Sequence, residues 1–223
     1  MSLHYATVPA QPWAALERAW LPLLPEARRQ AVRRLRVAAD RNASLLGIAL
    51  LAAALRGRGV VLAAGKLVYP ARGKPRLRAG PDFSIAHAGG LVGCALGDSG
   101  CVGLDLEARS AVRPEQLRLM LDAAERERLA RGGLAPSDAW VMKEAVVKAA
   151  GLGLAAVPRV RLRARSAVLD GRVFRLRPLA LAAGQAAWLA HDAPRLRLAI
   201  VGHAAGEFAP LPRAVRARRI RRS

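Results

Sequence analysis

The chain has 223 residues, of which 53% are hydrophobic and 24% are charged. This balance excludes a disordered protein and allows one sizeable core or two small lobes. Lysine and arginine number 37 against 16 aspartate and glutamate residues, which gives a net charge of +21. Such a charge predicts an anionic partner: nucleic acid, an anionic membrane, a polyphosphate ligand or an acidic protein.

Lysine is scarce in this arginine-rich chain, which contains only Lys66, Lys74, Lys143 and Lys148. The arginine excess is typical of a compositional bias and says little about any single position. An ammonium group on a flexible stem is not interchangeable with a planar guanidinium. The four lysines are therefore the stronger candidates for specific roles.

The cysteines and apolar segments predict a cytoplasmic protein. Cys94 and Cys101 are too few for a disulfide framework or a zinc site, so a reducing compartment is expected. No secretory signal is predicted in residues 1–13, which lack a basic segment followed by an apolar run. The longest apolar stretch, residues 43–55, is shorter than a bilayer span and predicts a buried helix.

The first half of the chain predicts helices followed by strands. Apolar spacing predicts a helix over residues 25–35 and a second helix that Asp40 caps and that runs to about Arg56. Glycines and prolines in residues 57–80 predict short strands and loops. Three apolar segments separated by glycine-rich turns, at 83–87, 91–96 and 101–106, predict an antiparallel meander in one sheet.

The second half repeats this order. One helix is predicted from Pro114 through Leu129, and another over residues 140–150, capped by Ser137 or Asp138. Strands are predicted at 160–164, 173–177 and 196–203, with a hairpin turn at 169–172. Helices and strands in two successive batches predict an α+β fold. We expect lobes at residues 1–108 and 109–208, followed by a disordered basic tail at 209–223.

Two carboxylates stand at the end of a predicted strand. Asp105 and Glu107 are two residues apart, so their side chains share one face of the strand. Mg²⁺ prefers such oxygen ligands, which makes the pair a candidate metal site. The alternative is a strand end that exposes two charges to solvent.

The predicted helix at 140–150 carries a polar stripe on an apolar background. Trp140, Glu144 and Lys148 are four residues apart and lie on one face, with Lys143 beside them. A surface ion pair is one reading of Glu144 and Lys148. The flanking residues are apolar almost all round, however, and a buried Glu and Lys would need partners such as a metal ion or a phosphate.

Two weaker signals lie upstream. Gly73-Lys74-Pro75 is a turn that presents a scarce lysine, and His87 lies where a predicted strand meets a Gly-Gly turn. A histidine there could bind phosphate or transfer protons, although a purely structural histidine has the same pattern.

Taken in order, these segments resemble the 4′-phosphopantetheinyl transferase superfamily, specifically its longer single-chain, surfactin-synthetase-activating type. The matching motifs are G-K-P at 73–75, F-S-I-A-H-A-G-G at 83–90, V-G-L-D-L-E at 102–107 and W-V-M-K-E-A-V-V-K-A-A-G-L-G-L at 140–154. The last two are specific, and the others add mainly by position. The family's S-H-S is replaced by Ala86-His87-Ala88, which removes two hydroxyl groups that could contact phosphate.

The resemblance implies two pseudo-twofold-related α+β lobes with coenzyme A in the cleft between them. It implies that Asp105, Glu107 and Glu144 hold Mg²⁺ and that Glu144 is also the base. Lys148 would face the phosphate that is attacked, and Lys143 would assist the leaving group. The implied coenzyme A contacts are Lys74, Pro75, His87, Arg41 and Lys148.

The implied reaction moves the 4′-phosphopantetheine group of coenzyme A to a serine of an acyl or peptidyl carrier protein and releases adenosine 3′,5′-bisphosphate. A monomer could perform it, and residues 110–131 are a candidate carrier contact. No membrane or specific nucleic acid is an expected partner. Two alternatives are a non-catalytic binder of the same fold and a basic nucleic-acid-binding protein, although no zinc, helix-turn-helix or RNA-binding motif is visible.

Overall fold

A computed structural model describes residues 1–71, 73–112, 114–117 and 119–208, so the predicted basic tail lies outside the described residues. The helices are α1 (Ala14–Trp20), α2 (Glu26–Arg34), α3 (Ala38–Arg56), α4 (Pro114–Leu117), α5 (Ala123–Ala130) and α6 (Pro136–Ala149). The strands are β1 (Ser2–Thr7), β2 (Leu67–Val68), β3 (Arg76–Leu77), β4 (Phe83–Ala88), β5 (Leu91–Leu96), β6 (Val102–Ala108), β7 (Arg161–Leu162), β8 (Ser166–Leu169), β9 (Arg172–Pro178), β10 (Gln185–His191) and β11 (Ala199–His203). This mixture of helices and small sheets confirms the predicted α+β class.

The first sheet has the strand order β11-β1-β5-β4 and packs against α3. Strand β1 runs parallel to β11 and antiparallel to β5. The leucines of α3 form the centre of this core because the helix is apolar on most of its surface. The helix begins at Ala38, so Asp40 lies in its first turn and the predicted cap at Asp40 is wrong.

Helix α3 is longer than its uninterrupted apolar stretch predicts. It has 19 residues, and its length and mean hydropathy of 1.3 would allow it to cross a membrane. Within the protein, however, 67% of an 18-residue apolar segment of this helix is buried. Its apolar surface is therefore covered by the first core, as expected for the central helix of a folded domain.

The second sheet has the order β6-β10-β9-β8-β7 and packs against α6. The predicted three-stranded meander is wrong, because β4 pairs with β5 while β6 pairs with β10. Conversely, β11 from the end of the chain joins β1 in the first sheet. Strand β6, from before the predicted boundary at residue 108, therefore belongs to the second sheet, and β11, from after it, belongs to the first. The division into two lobes stays a prediction.

Turns and caps define the remaining elements. The single helix predicted through Leu129 is two helices, and Asp122 caps the second in a capping box with Glu125. Helix α6 begins at Pro136 after Ala135, so the predicted caps are wrong; proline suits the first turn because its missing N–H has no helical acceptor there. The hairpin at 169–172 is confirmed: Asp170 and Gly171 both have positive φ, as a two-residue turn with type I′ geometry requires.

Candidate active site

Strand β6 presents its two carboxylates to helix α6. Asp105 lies opposite Trp188 of β10, and Glu107 lies opposite Ala186, so the two carboxylates share a face as predicted. The indole nitrogen of Trp188 donates a hydrogen bond to Asp138 of α6 at 2.8 Å, which identifies this face as the one that α6 covers. The pairing of β6 with β10 thereby directs both carboxylates towards the helix that carries Glu144 and Lys148.

Lys148 connects the strand to the helix. Its Nζ donates to Oδ1 of Asp105 at 2.5 Å and lies 3.9 Å from Oε2 of Glu144. Asp105 is only 3% exposed. Its second oxygen, Oδ2, is buried and has no hydrogen-bond partner within the described segments. One acceptor of this buried carboxylate is therefore available to a ligand.

Burial raises the pKa values of all three carboxylates, and the charge of Asp105 adds to the rise at Glu107 and Glu144. Burial raises the pKa of Asp105 despite the neighbouring Lys148. Burial, followed by the charge of Asp105, raises the pKa of Glu107. For Glu144, burial and the charges of Asp105 and Glu107 raise the pKa to about 7, with Lys148 acting in the opposite direction. Three acidic groups in one region with a single nearby ammonium favour the approach of a further cation.

The donor chemistry of this region fits a hard divalent cation. Three carboxylates, one with a buried unpartnered oxygen, supply the oxygen ligands that Mg²⁺ prefers. In the part of the chain that the structure describes, however, no three His, Cys, Asp or Glu side chains are arranged to hold one metal ion. Simultaneous coordination by Asp105, Glu107 and Glu144 would therefore require side-chain rearrangement around Lys148.

His87 lies close to this group from the neighbouring strand β4. His87 is exposed in part, and partial desolvation by the protein is the largest cause that lowers its pKa; the charges of Lys148 and Arg28 lower it further, while Asp40 and Asp105 oppose this change. The structure thus brings His87 near Lys148. Arg28 of α2 also belongs to this neighbourhood, with its guanidinium 5.5 Å from the Tyr69 ring centroid.

An apolar pocket adjoins the carboxylates. It has a volume of about 340 Å³ and is lined by Glu107 and Trp140 together with residues of the 111–120 segment, namely Ala111, Val112, Leu117 and Met120. Trp140 is half-buried on the same helix as Glu144. The predicted carrier-contact segment therefore borders the candidate site.

Lys143 does not reach this site. Its side chain is fully buried, donates to the carbonyl of Val160 at 2.5 Å and pairs with Oε2 of Glu125 at 2.8 Å. Glu125 in turn accepts hydrogen bonds from the backbone of Asp122 and Leu162. Instead of the predicted catalytic role, the contacts of Lys143 indicate a structural role. Together with Glu125, its side chain connects α6 to α5 and to the beginning of β7.

Lys74 is also held by the protein. Its Nζ donates to Asp82 Oδ2 and to the Val102 carbonyl, both at 2.5 Å. These partners lie at the beginning of β4 and β6, whereas His87 lies near the end of β4. Pro75 is half-buried and directly precedes β3. The structure thus separates the Lys74 ammonium from the His87 neighbourhood, and the implied coenzyme A contact of Lys74 stays a prediction.

Arg41 is tied to the junction between α2 and α3. Its guanidinium donates to the Leu35 carbonyl at 2.6 Å and to the Arg36 carbonyl at 3.2 Å, and it lies 3.6 Å from Glu17. These contacts stabilise the turn before α3. The implied coenzyme A contact of Arg41 would compete with them.

Residues 101–201 match the model of the 4′-phosphopantetheinyl transferase superfamily. The matched segment spans β6 to β11 and includes Asp105, Glu107, Glu144 and Lys148. The match supports the superfamily, and with it phosphopantetheine transfer as the general activity. No protein of curated function matches the sequence significantly.

The superfamily match and the site geometry coincide on β6 and α6. The motifs at 73–75 and 83–90 precede the matched residues, and of these His87 lies near the carboxylates while Lys74 does not. Sequence reasoning missed Arg28. Its helix carries arginines at several positions, and among them Arg28 is the one whose charge lowers the pKa of His87 in the folded chain.

Proposed function

We propose that the protein is a Mg²⁺-dependent 4′-phosphopantetheinyl transferase of the longer single-chain type. It transfers the 4′-phosphopantetheine group of coenzyme A to a serine of an acyl or peptidyl carrier protein. The observation that carries this proposal is the meeting of Asp105, Glu144 and Lys148 between β6 and α6, with one oxygen of Asp105 buried and unpartnered among the described residues.

Glu144 accepts the proton of the carrier serine in this proposal. Its carboxylate lies beside Lys148 and within electrostatic reach of Asp105, and a positioned carboxylate is one of the side chains that serve as general bases. The serine Oγ forms a bond to the β-phosphorus of coenzyme A. The bond from that phosphorus to the bridging oxygen breaks, and adenosine 3′,5′-bisphosphate leaves with the electron pair.

Lys148 stabilises charge on the phosphoryl oxygens. It is half-buried, and an ammonium that is partly shielded from bulk solvent interacts more strongly with anions than a fully exposed one does. His87 and Arg28 are the proposed contacts to other phosphate oxygens of coenzyme A. His87 lies close enough to both Lys148 and Arg28 for their charges to lower its pKa. No covalent enzyme intermediate is required.

Asp105, Glu107 and Glu144 would hold Mg²⁺ against the pyrophosphate. When bound, the ion neutralises part of the charge of the attacked phosphate and of the leaving group. The protein's own contribution is a buried carboxylate with an available oxygen and two further acids within electrostatic reach.

The carrier protein is proposed to approach over the apolar pocket beside Glu107 and Trp140. The net charge of +21 favours encounter both with an acidic carrier and with the polyanionic coenzyme. One chain contains every proposed site residue, so a cytoplasmic monomer suffices for the reaction.

Mass spectrometry of a carrier protein tests this function. The protein is incubated with coenzyme A, Mg²⁺ and a panel of apo carriers from fatty acid, polyketide and nonribosomal peptide synthesis. We expect at least one carrier to gain a single phosphopantetheine group on its serine. Binding of coenzyme A without any carrier modification would instead favour the non-catalytic binder.

A further inference from the structure

A second polar groove lies on the face of the second sheet that is turned away from α6. In β9, Phe174 and Leu176 pack into the core beneath α6, so the alternate residues Arg175 and Arg177 point to the other side. The carboxylates of the candidate active site lie on the α6 side of this sheet. The groove is therefore separate from that site.

The groove has a volume of about 790 Å³, and its described lining contains no carboxylate. It is lined by Arg165, Ser166, Val173, Arg175, Leu176, Arg177, Pro178, His191 and Leu196. Three arginines thus line a space large enough for a small organic ligand. Their positive charge is uncompensated within the lining.

A polar row crosses the floor of the groove. Ser166 of β8 lies opposite Arg175 of β9, which in turn lies opposite His191 of β10. Residues directly opposite each other in an antiparallel sheet share a face, so these three side chains adjoin one another. A hydroxyl, a guanidinium and an imidazole in a row are the groups that bind phosphate oxygens in proteins.

His191 has an unmet hydrogen-bonding group. It is 3% exposed, and its Nδ1 is buried without a hydrogen-bond partner in the described ranges. Leaving such a group unpaired costs about 1–3 kcal/mol, so buried polar atoms are normally paired. In its Nδ1–H tautomer, His191 would donate a hydrogen bond from this nitrogen to an anion in the groove.

The three arginines of the groove differ in their contacts. Arg175 is bonded to the protein backbone, whereas Arg165 and Arg177 are available to a ligand. Arg175 donates to the carbonyls of Ala193 and Pro194, which fixes the segment that forms the other wall. Arg165 and Arg177 form no salt bridge with any residue that the structure describes. Planar guanidinium groups without a carboxylate partner match phosphate geometry.

We propose that this groove binds a small phosphorylated compound through Arg165, Arg177 and the imidazole of His191. The proposal does not rest on phosphopantetheine transfer. It needs only the convergence of these side chains on the face of the sheet opposite α6.

Histidine NMR with inorganic pyrophosphate as the probe tests the proposal. The chain has four histidines. In imidazole ¹⁵N-labelled protein, His191 reports on the groove and His87 on the candidate active site, and His191→Phe assigns the first signal. EDTA in the buffer removes divalent cations. We expect pyrophosphate to shift the His191 signal saturably, whether or not His87 responds.

Arginine variants identify the groove as the source of the shift. The double variant Arg165→Gln/Arg177→Gln should weaken pyrophosphate binding, as followed at His191, by at least tenfold. The control Arg56→Gln/Arg76→Gln loses the same charge at exposed positions elsewhere and should bind as the wild type does.

Three results would overturn the proposal. The first is a shift confined to His87 or no shift at all, and the second is equal affinity in the wild type and in the Arg165→Gln/Arg177→Gln variant. The third is a His191 shift with a DNA or RNA oligonucleotide but none with pyrophosphate, which would make the groove a nucleic-acid contact. A failed carrier assay, by contrast, would leave the groove unaffected.

Discussion

The ammonium nitrogen of Lys148 lies 2.5 Å from Oδ1 of Asp105, while Oδ2 of the same carboxylate is buried without a hydrogen-bond partner among the described residues. One side chain thus balances part of the charge of the site and leaves one acceptor for a ligand. The same ammonium lies 3.9 Å from Glu144. Lys148 is therefore the residue through which the strand and helix halves of the site interact.

Replacing this ammonium should remove transfer activity. We expect Lys148→Met to lower kcat/KM for carrier modification by about 10²–10³-fold, the usual cost of losing one preorganised charge-stabilising group. Lys66→Met is the matched control, since Lys66 is exposed and its ammonium donates to the Val61 carbonyl at 3.5 Å, without a salt bridge to any described residue. Equal rates for Lys148→Met and the wild type would contradict the assignment.

Lys143→Met should lower stability rather than activity. It leaves the buried carboxylate of Glu125 without its cation, which typically costs about 3–5 kcal/mol. Urea denaturation measures this loss. The double variant Lys143→Met/Glu125→Gln also removes the unpaired charge of Glu125 and should recover part of the lost unfolding free energy. If Lys143→Met kept full stability but lost transfer well below its unfolding temperature, the structural role would be wrong.

Gly103→Ala should disturb the contact between β6 and α6. A Cβ atom at residue 103 would overlap the backbone of Ala145 and Ala149, so the helix must move away from the strand. We expect a loss of about 1–3 kcal/mol in unfolding free energy, typical of overpacking, together with slower transfer. Gly206→Ala has open space around the new methyl group and serves as the control. Equal stability of the two variants would refute this account of the packing.

Acidification should destabilise the protein through His4. Burial, with the nearby charges of His203 and Arg58, lowers the pKa of His4 to about 4, and its Nδ1 lies 2.8 Å from Nε2 of His203. Between the folded and unfolded pKa values the unfolded chain binds more protons. The contribution of His4 is therefore complete above pH 6.5 and is lost as the pH falls towards 4.

Urea unfolding at pH 7 and near pH 4 checks this dependence. The wild type should lose roughly 2–3 kcal/mol more than His4→Phe over this interval, because one pKa unit corresponds to about 1.4 kcal/mol. The comparison between the two proteins removes the contributions of the other titrating groups to the pH dependence of the unfolding free energy. Identical pH dependence in both would show that His4 is not responsible.

The sequence predicted which side chains of the candidate site share a face better than it predicted how the neighbouring elements pack around them. The spacing of Asp105 and Glu107 correctly implied a shared strand face, and the spacing of Glu144 and Lys148 implied a shared helix face. Periodicity could not show that Lys143 is directed to Glu125 instead. That direction depends on α5 and β7, which contact α6 only in the folded chain.

Strand pairing was the main feature that the sequence patterns could not predict. Strand β10 (Gln185–His191) was missed because it is alanine-rich and buried on both faces, so it lacks the alternation that marks a half-buried strand. Without β10, the partner of β6 could not be identified, and β6 was joined to β5. A local pattern records which face of a strand is apolar but not which strand lies beside it.

The most direct test of the central claim is the transfer rate of Glu144→Gln. This substitution keeps the size of the side chain and removes the carboxylate that is proposed to accept the serine proton and to help hold Mg²⁺. We expect carrier modification to fall by about 10²–10⁴-fold, the range for loss of a general base, with an unchanged circular dichroism spectrum. A wild-type rate of carrier modification in Glu144→Gln would contradict the central claim.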